Sequence, residues 1–139
     1  MENKCNLQMK DLYFSKIEFS QVKDQSNLEP INLKYKYNID TISDKKDIYS
    51  VEKVLSIDIS DENGKIDIKI VANGLFCVDC NSIEDSELIQ RLLDNNTIAI
   101  MMPYLRSEVT LVTSQPGITP IILPPVNVIE LVENTRKKW

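Results

Sequence analysis

The sequence predicts an α+β domain: a four-stranded antiparallel sheet with a long helix and a C-terminal helix packed on one face. Three observations predict it. Apolar and polar residues alternate along much of the first half, the period of half-buried strands. An Asn63-Gly64 turn joins two of the alternating runs. Beyond about residue 84 the apolar spacing becomes helical. Strands followed by helices, rather than interleaved with them, mark the α+β class.

The first strand is expected over residues 12–20, with Leu12, Phe14, Ile17 and Phe19. Its parity breaks between Phe14 and Ile17, which predicts a bulge near Ser15 and Lys16. Residues 21–31 are polar with one proline and read as a long connection. The second strand covers residues 32–41, where Leu33, Tyr35, Tyr37 and Ile39 alternate with Lys34, Lys36, Asn38 and Asp40.

The hairpin that follows carries the strongest local signal. Asn63-Gly64 favours a two-residue type I′ loop, whose central residues both need positive φ. That loop sets Ile59 opposite Ile68, Ile57 opposite Ile70, Leu55 opposite Ala72, Val51 opposite Phe76 and Tyr49 opposite Val78. All these apolar pairs share one face. On the other face Asp58 meets Lys69 and Glu62 meets Lys65, as opposite-charge pairs. Lys53 alone has the wrong parity. It falls opposite Gly74, where its stem has room to snorkel or a bulge could form.

Residues 84–93 place Leu88, Ile89, Leu92 and Leu93 on one helical face, and Asp94-Asn95-Asn96 reads as a break. A longer helix is expected over 97–114, with Ile98, Met101, Met102, Leu105, Val109 and Val112 as its stripe. Pro103 either lies in the first turn of that helix or kinks it. Residues 115–125 hold four prolines and Gly117, so they cannot be helical. Ile118, Ile121, Ile122 and Leu123 make them an extended loop pressed against the domain. Asn127 caps a last helix, with Glu130 at capping-box spacing and an apolar face of Val128, Leu131 and Val132. The basic run Arg136-Lys137-Lys138 suits a helix C-terminus.

The 139 residues are expected to form a single domain spanning 1–139. Hydrophobic residues at 42% and charged residues at 27% are a globular balance. A net charge of -5 argues against general nucleic-acid binding and against an anionic membrane surface as the main partner. No apolar run reaches spanning length, and the N-terminus lacks a signal-peptide core. The expected location is therefore the cytoplasm, with the three cysteines reduced.

Candidate chemistry is sparse. Without histidine the chain has no usual general base and lacks the commonest metal ligand. The C-x-x-C of Cys77 and Cys80 lies at a strand end rather than at a helix head, and two further zinc ligands are wanting. The glycines form no phosphate loop. The expectation is a non-enzymatic protein with no cofactor, no metal and no redox role for Cys77 and Cys80.

Residues 98–131 read IAIMMPYLRSEVTLVTSQPGITPIILPPVNVIEL. This segment resembles the most characteristic stretch of the SecB family of protein-export chaperones. Pro103, Tyr104, Arg106, Gly117, Pro120, Leu123, Pro125, Val126, Asn127 and Leu131 sit at matching places. Gly74-Leu75-Phe76 resembles the family's Gly-Ile-Phe, and the order of elements matches over about residues 10–133. The resemblance implies a chaperone that binds unfolded polypeptides in apolar grooves, here involving Leu28, Ile31, Ile118, Ile121 and Val128. It implies a homo-oligomer, expected as a tetramer, with Met101, Leu105 and Val109 near a helix interface. Its clients would be unfolded preproteins, or an antitoxin as in the SecB-like members of toxin–antitoxin systems; a plain interaction scaffold is the third reading. Met102, Leu105, Ile118 and Val128 replace the family's Phe, Ala, Phe and Phe. Where export members carry the acids that dock SecA, this chain has Lys16, Ser20 and Lys69, and its end is basic rather than acidic. These departures predict weak docking of SecA.

Overall fold

The computed structural model describes residues 5–23, 32–43, 49–80 and 86–136. Four strands, β1 Cys5–Gln21, β2 Leu33–Ser43, β3 Ser50–Asp61 and β4 Ile66–Cys80, form one antiparallel sheet in the order β1-β4-β3-β2. The helical half comprises α1 Ser86–Arg91, a π-helical turn Leu92–Asn96, α2 Thr97–Val112 and α3 Val128–Arg136. The predicted fold class is the observed one.

Strand β1 begins at Cys5 rather than near Leu12. Its pairing with β4 shifts twice, between Phe14 and Lys16 as expected and also between Met9 and Asp11. Each shift restores parity, so Leu7, Met9, Leu12, Phe14, Ile17 and Phe19 pair with even-numbered, inward residues of β4. The second bulge hides the early part of the strand from any search for unbroken alternation.

The hairpin register is as predicted, with Ile59 opposite Ile68, Ile57 opposite Ile70 and Val51 opposite Phe76. The loop is not. Among the described residues only Gly64 and Gly117 have positive φ, so Asn63 does not take part in a type I′ turn. Four residues connect the strands. The Gly64 N–H donates to the Asp61 carbonyl at 2.9 Å. The buried Asp61 carboxylate accepts from the Lys65 N–H at 3.3 Å and the Asn32 N–H at 3.0 Å. A four-residue loop and a two-residue loop centred on the same bond give the same register, which is why the pairing survives the wrong turn type. Glu62 pairs with Lys34 at 3.2 Å, rather than across the hairpin with Lys65. The Lys34 hydrogen bond, followed by that of Asn32, holds the Glu62 carboxyl below its usual range.

The inner face of the central strands is fully apolar at Leu55, Ile57, Ile59, Ile68, Ile70, Ala72 and Phe76, all without solvent exposure. Helix α2 covers it with Ile98, Met101, Leu105 and Val109, which are equally buried. Each such side chain contributes roughly 1.5–3 kcal/mol by leaving water. Met101, Leu105 and Val109, expected near a contact between copies, thus face the chain's own sheet. The outward side of α2 carries Tyr104 and Leu111 instead. Gly74 allows the close approach: a Cβ there would lie 2.7 Å from the Phe76 ring and 3.0 Å from the Met101 sulfur.

Helices α1 and α2 are not separated by a break. Residues 94–96 belong to the π turn, in which the Thr97 N–H reaches back to the Leu92 carbonyl. The physical reason lies in the helical phase. At roughly 100° per residue, a continuous α-helix that aims Met101, Leu105 and Val109 at the sheet would turn Ile89 and Leu93 away and Glu87 and Arg91 inward. One extra residue in the turn takes back roughly 100°, and Ile89 and Leu93 are buried. Pro103 lies inside α2, so the helix neither starts there nor stops.

Lys53 neither snorkels nor sits at a bulge. Its side chain is only 4% exposed and its ammonium meets Asp94 of the π turn at 3.5 Å, with Asp94 13% exposed. The same ammonium donates to the Thr41 hydroxyl at 2.6 Å. A charge on the inner face is thereby joined to the helical layer.

Candidate polypeptide-binding surface

Residues 113–127 leave α2 and run back along it. Three side chains of α2 and its C-cap, at i, i+4 and i+7 spacing, hold them there. Arg106 Nη2 donates to the Leu123 carbonyl at 2.8 Å. Thr110 Oγ1 donates to the Ile121 carbonyl at 2.8 Å. Buried Thr113 donates to the Val109 carbonyl at 2.7 Å and accepts the Ile121 N–H at 2.8 Å. Ile121 and Leu123 turn into the core, and Ile122 between them is 77% exposed. The alternation is that of a strand with one face buried. The loop's first turn is tied to β1, where Gln21 Nε2 donates to the Pro116 carbonyl at 3.2 Å.

Two clefts flank Arg106. One, of about 470 Å³, is lined by Ser107, Thr110, Leu111, Ile122 and Leu123 together with Arg106. The other, of about 390 Å³, is lined by Ala99, Met102, Pro103, Ser107 and Val128 together with Arg106. Such volumes suit a few side chains of an extended chain. Asn127 caps α3 as expected, accepting the Glu130 N–H at 3.1 Å, and so fixes Val128 at the mouth of the second cleft.

Of the client-binding residues expected from sequence, Val128 lines a cleft and Ile118 is half-buried against the core. Ile121 is buried in the core, and its exposed neighbour Ile122 takes the surface position. Leu28 and Ile31 lie outside the described residues. The clamp of Arg106, Thr110 and Thr113 escaped sequence reasoning; its signal is three hydrogen-bonding side chains at i, i+4 and i+7 beside an apolar stripe.

Electrostatic features near this surface are few. Burial raises the Tyr37 phenol above the ordinary tyrosine range, with Arg106 opposing in part. The Tyr37 hydroxyl is buried without a hydrogen-bond partner. Among the described residues no group of three or more Cys, Asp or Glu could hold a metal ion.

Lys16, Ser20 and Lys69 do come together on the outer face of β1 and β4, opposite Val71, Asp67 and Glu18 respectively. Lys16 pairs with Glu18 at 3.2 Å, and Lys69 lies 3.9 Å from Asp58. Each lysine there has a carboxylate beside it.

Known proteins bear on this geometry in three ways. The chain shares 33% identity over 51 residues with an uncharacterized protein of Methanocaldococcus jannaschii. That match covers 37% of this chain and spans only 33% of the relative's length. A SecB-like chaperone of Mycobacterium tuberculosis, solved in complex with a ChAD peptide from the HigA1 antitoxin, superposes with a TM-score of 0.68 at 14% identity, covering 87% of this chain and 88% of that one. A Streptococcus agalactiae protein of unknown function superposes at 0.50 with 9% identity, covering 88% of this chain and 99% of that one. No helix among the described residues is long and apolar enough to cross a membrane. The family described as preprotein translocase subunit SecB matches residues 2–138, and the chain therefore belongs to the SecB family of non-enzymatic chaperones.

Proposed function

We propose that the protein holds unfolded or extended polypeptides in the clefts along α2, between the segment at residues 113–127 and the start of α3. The observation that carries this reading is the clamped segment itself. Arg106, Thr110 and Thr113 fix its backbone while Ile122 stays exposed on the wall of the larger of the two clefts that flank Arg106. A binder of many sequences needs apolar surface on a firm scaffold and no reactive group. Preproteins kept competent for translocation are the clients we favour, in the cytoplasm and by a homo-oligomer, proposed as a tetramer. A second reading is a chaperone dedicated to one antitoxin, favoured by the antitoxin peptide bound to the mycobacterial relative. An interaction scaffold without chaperone activity is the third.

Aggregation assays with several unfolded clients test this, run beside SecA binding. Suppression across clients is expected for the export reading, and protection of a single client for the antitoxin reading. Failure to protect any unfolded chain would leave only the scaffold. Ile122→Asp should weaken client binding about tenfold with little loss of stability, because the side chain is exposed in the free protein.

A further inference from the structure

Arg106 lines both clefts, and neither is lined by Asp or Glu. The residue is half-buried on the flank of α2. Its Nη2 donates to the Leu123 carbonyl at 2.8 Å. Among the described residues no carboxylate is in ion-pair contact with it, whereas Lys16, Lys34, Lys53 and Lys69 each have one. A guanidinium has more N–H donors than one carbonyl can use. A cation partly withdrawn from water and without an anion favours a carboxylate, which the planar fork can grip with two parallel bonds.

The spacing along α2 says how that carboxylate must be presented. Met102, Arg106 and Thr110 follow one another at i, i+4 and i+8, so they form one ridge of the helix. Met102 lines the smaller cleft and Thr110 the larger. Each step along the ridge rises about 6 Å. In an extended chain every second side chain points the same way and lies about 6.6 Å further on. An extended segment laid along α2 therefore sets its side chains i, i+2 and i+4 over one cleft, Arg106 and the other cleft in turn. The walls at the two ends, Met102 and Val128 in one cleft and Leu111 and Ile122 in the other, suit apolar side chains.

We propose that Arg106 is a specificity-determining residue that selects client segments with the pattern apolar-x-acid-x-apolar; this rests on the reading of the two clefts as client sites. The apolar side chains fill the clefts, and the acidic side chain between them meets the free edge of the guanidinium. The selectivity is local, because the net charge of the whole chain, -5, would by itself disfavour an acidic client.

The test uses the purified protein and labelled, unstructured peptides with a leucine–serine–X–serine–leucine core, read by fluorescence anisotropy. Glutamate at X should bind about tenfold more tightly than glutamine, and lysine more weakly than glutamine. Exchanging the glutamate with the neighbouring serine keeps the composition and should abolish the gain. The ratio of glutamate to glutamine affinity should fall to about one in Arg106→Gln. Should that variant lose its fold by releasing Leu123, Ser107→Glu supplies a second readout. Ser107 is exposed and lines both clefts, so a carboxylate there can occupy the guanidinium and lower the ratio while the clamp stays in place. Equal binding of the glutamate and glutamine peptides, a gain that survives the shifted glutamate, or a ratio unchanged in the folded variants would each overturn the proposal and leave the clefts as client sites. Binding of none of the peptides would overturn the client reading itself, and the proposal with it.

Discussion

At the scale of single residues, the sharpest feature is the pair of Lys53 and Asp94 between sheet and helical layer. Replacing Asp94 with Ala leaves an ammonium nearly out of water without its carboxylate, and should cost about 3 kcal/mol in urea denaturation. Combining Lys53→Met with Asp94→Leu should recover most of that loss, since a well-packed apolar pair needs no dehydration of charge. Tyr37 gives a pH test. Burial makes the folded protein hold the phenolic proton more tightly than the unfolded chain does. Stability is therefore intact below about pH 10 and falls as pH rises towards the folded value. Tyr37→Phe should remove that alkaline slope. At neutral pH it should leave stability unchanged or raise it by up to about 1 kcal/mol, because the hydroxyl lacks a partner. Neither Lys53 nor Tyr37 could be understood from sequence. Parity marked Lys53 as inward, but the carboxylate that receives it comes from a helical turn whose position depends on the whole fold.

At the scale of elements, legibility followed periodicity. The β3–β4 hairpin was readable because two alternating runs and a turn agreed on one register. The turn type was not, because the two candidate loops share a centre. The apolar stripe of α2 was readable, whereas the surface it meets required the sheet. The π turn left no mark beyond the phase mismatch between Ile89 and Leu93 and the stripe from Met101 onward. Deleting Asn95 should convert it to an ordinary helical turn and expose Ile89 and Leu93, costing roughly 3–6 kcal/mol. Circular dichroism should show helix retained while the denaturation midpoint falls. In the clamp, Thr113→Val keeps the shape but strands the buried Ile121 N–H, and should cost about 1–3 kcal/mol. Client binding should fall with it, since the segment carrying Ile122 would lose its anchor.

At the scale of the whole molecule, the sheet divides the protein into an inner face whose central strands are covered by helices and an outer face where Lys16 and Lys69 each have a carboxylate beside them. On the outer face, Lys16→Asp with Lys69→Glu should strengthen SecA binding, with a gain that fades as salt rises. Client binding should stay unchanged, because the clefts lie on the helical side. Lys53 bears on folding as well as on the folded state. Until the π turn arrives with Asp94, its ammonium stands on an otherwise greasy sheet surface, where stacking against another half-made chain would bury a charge away from the Asp94 carboxylate. An inward charge of this kind protects bare strands from sticking together. Lys53→Met should therefore raise light scattering during refolding at high protein concentration, most of all in the interval before the helices dock. That outcome would mark the ammonium as a guard of the nascent sheet against aggregation before its own helices cover it.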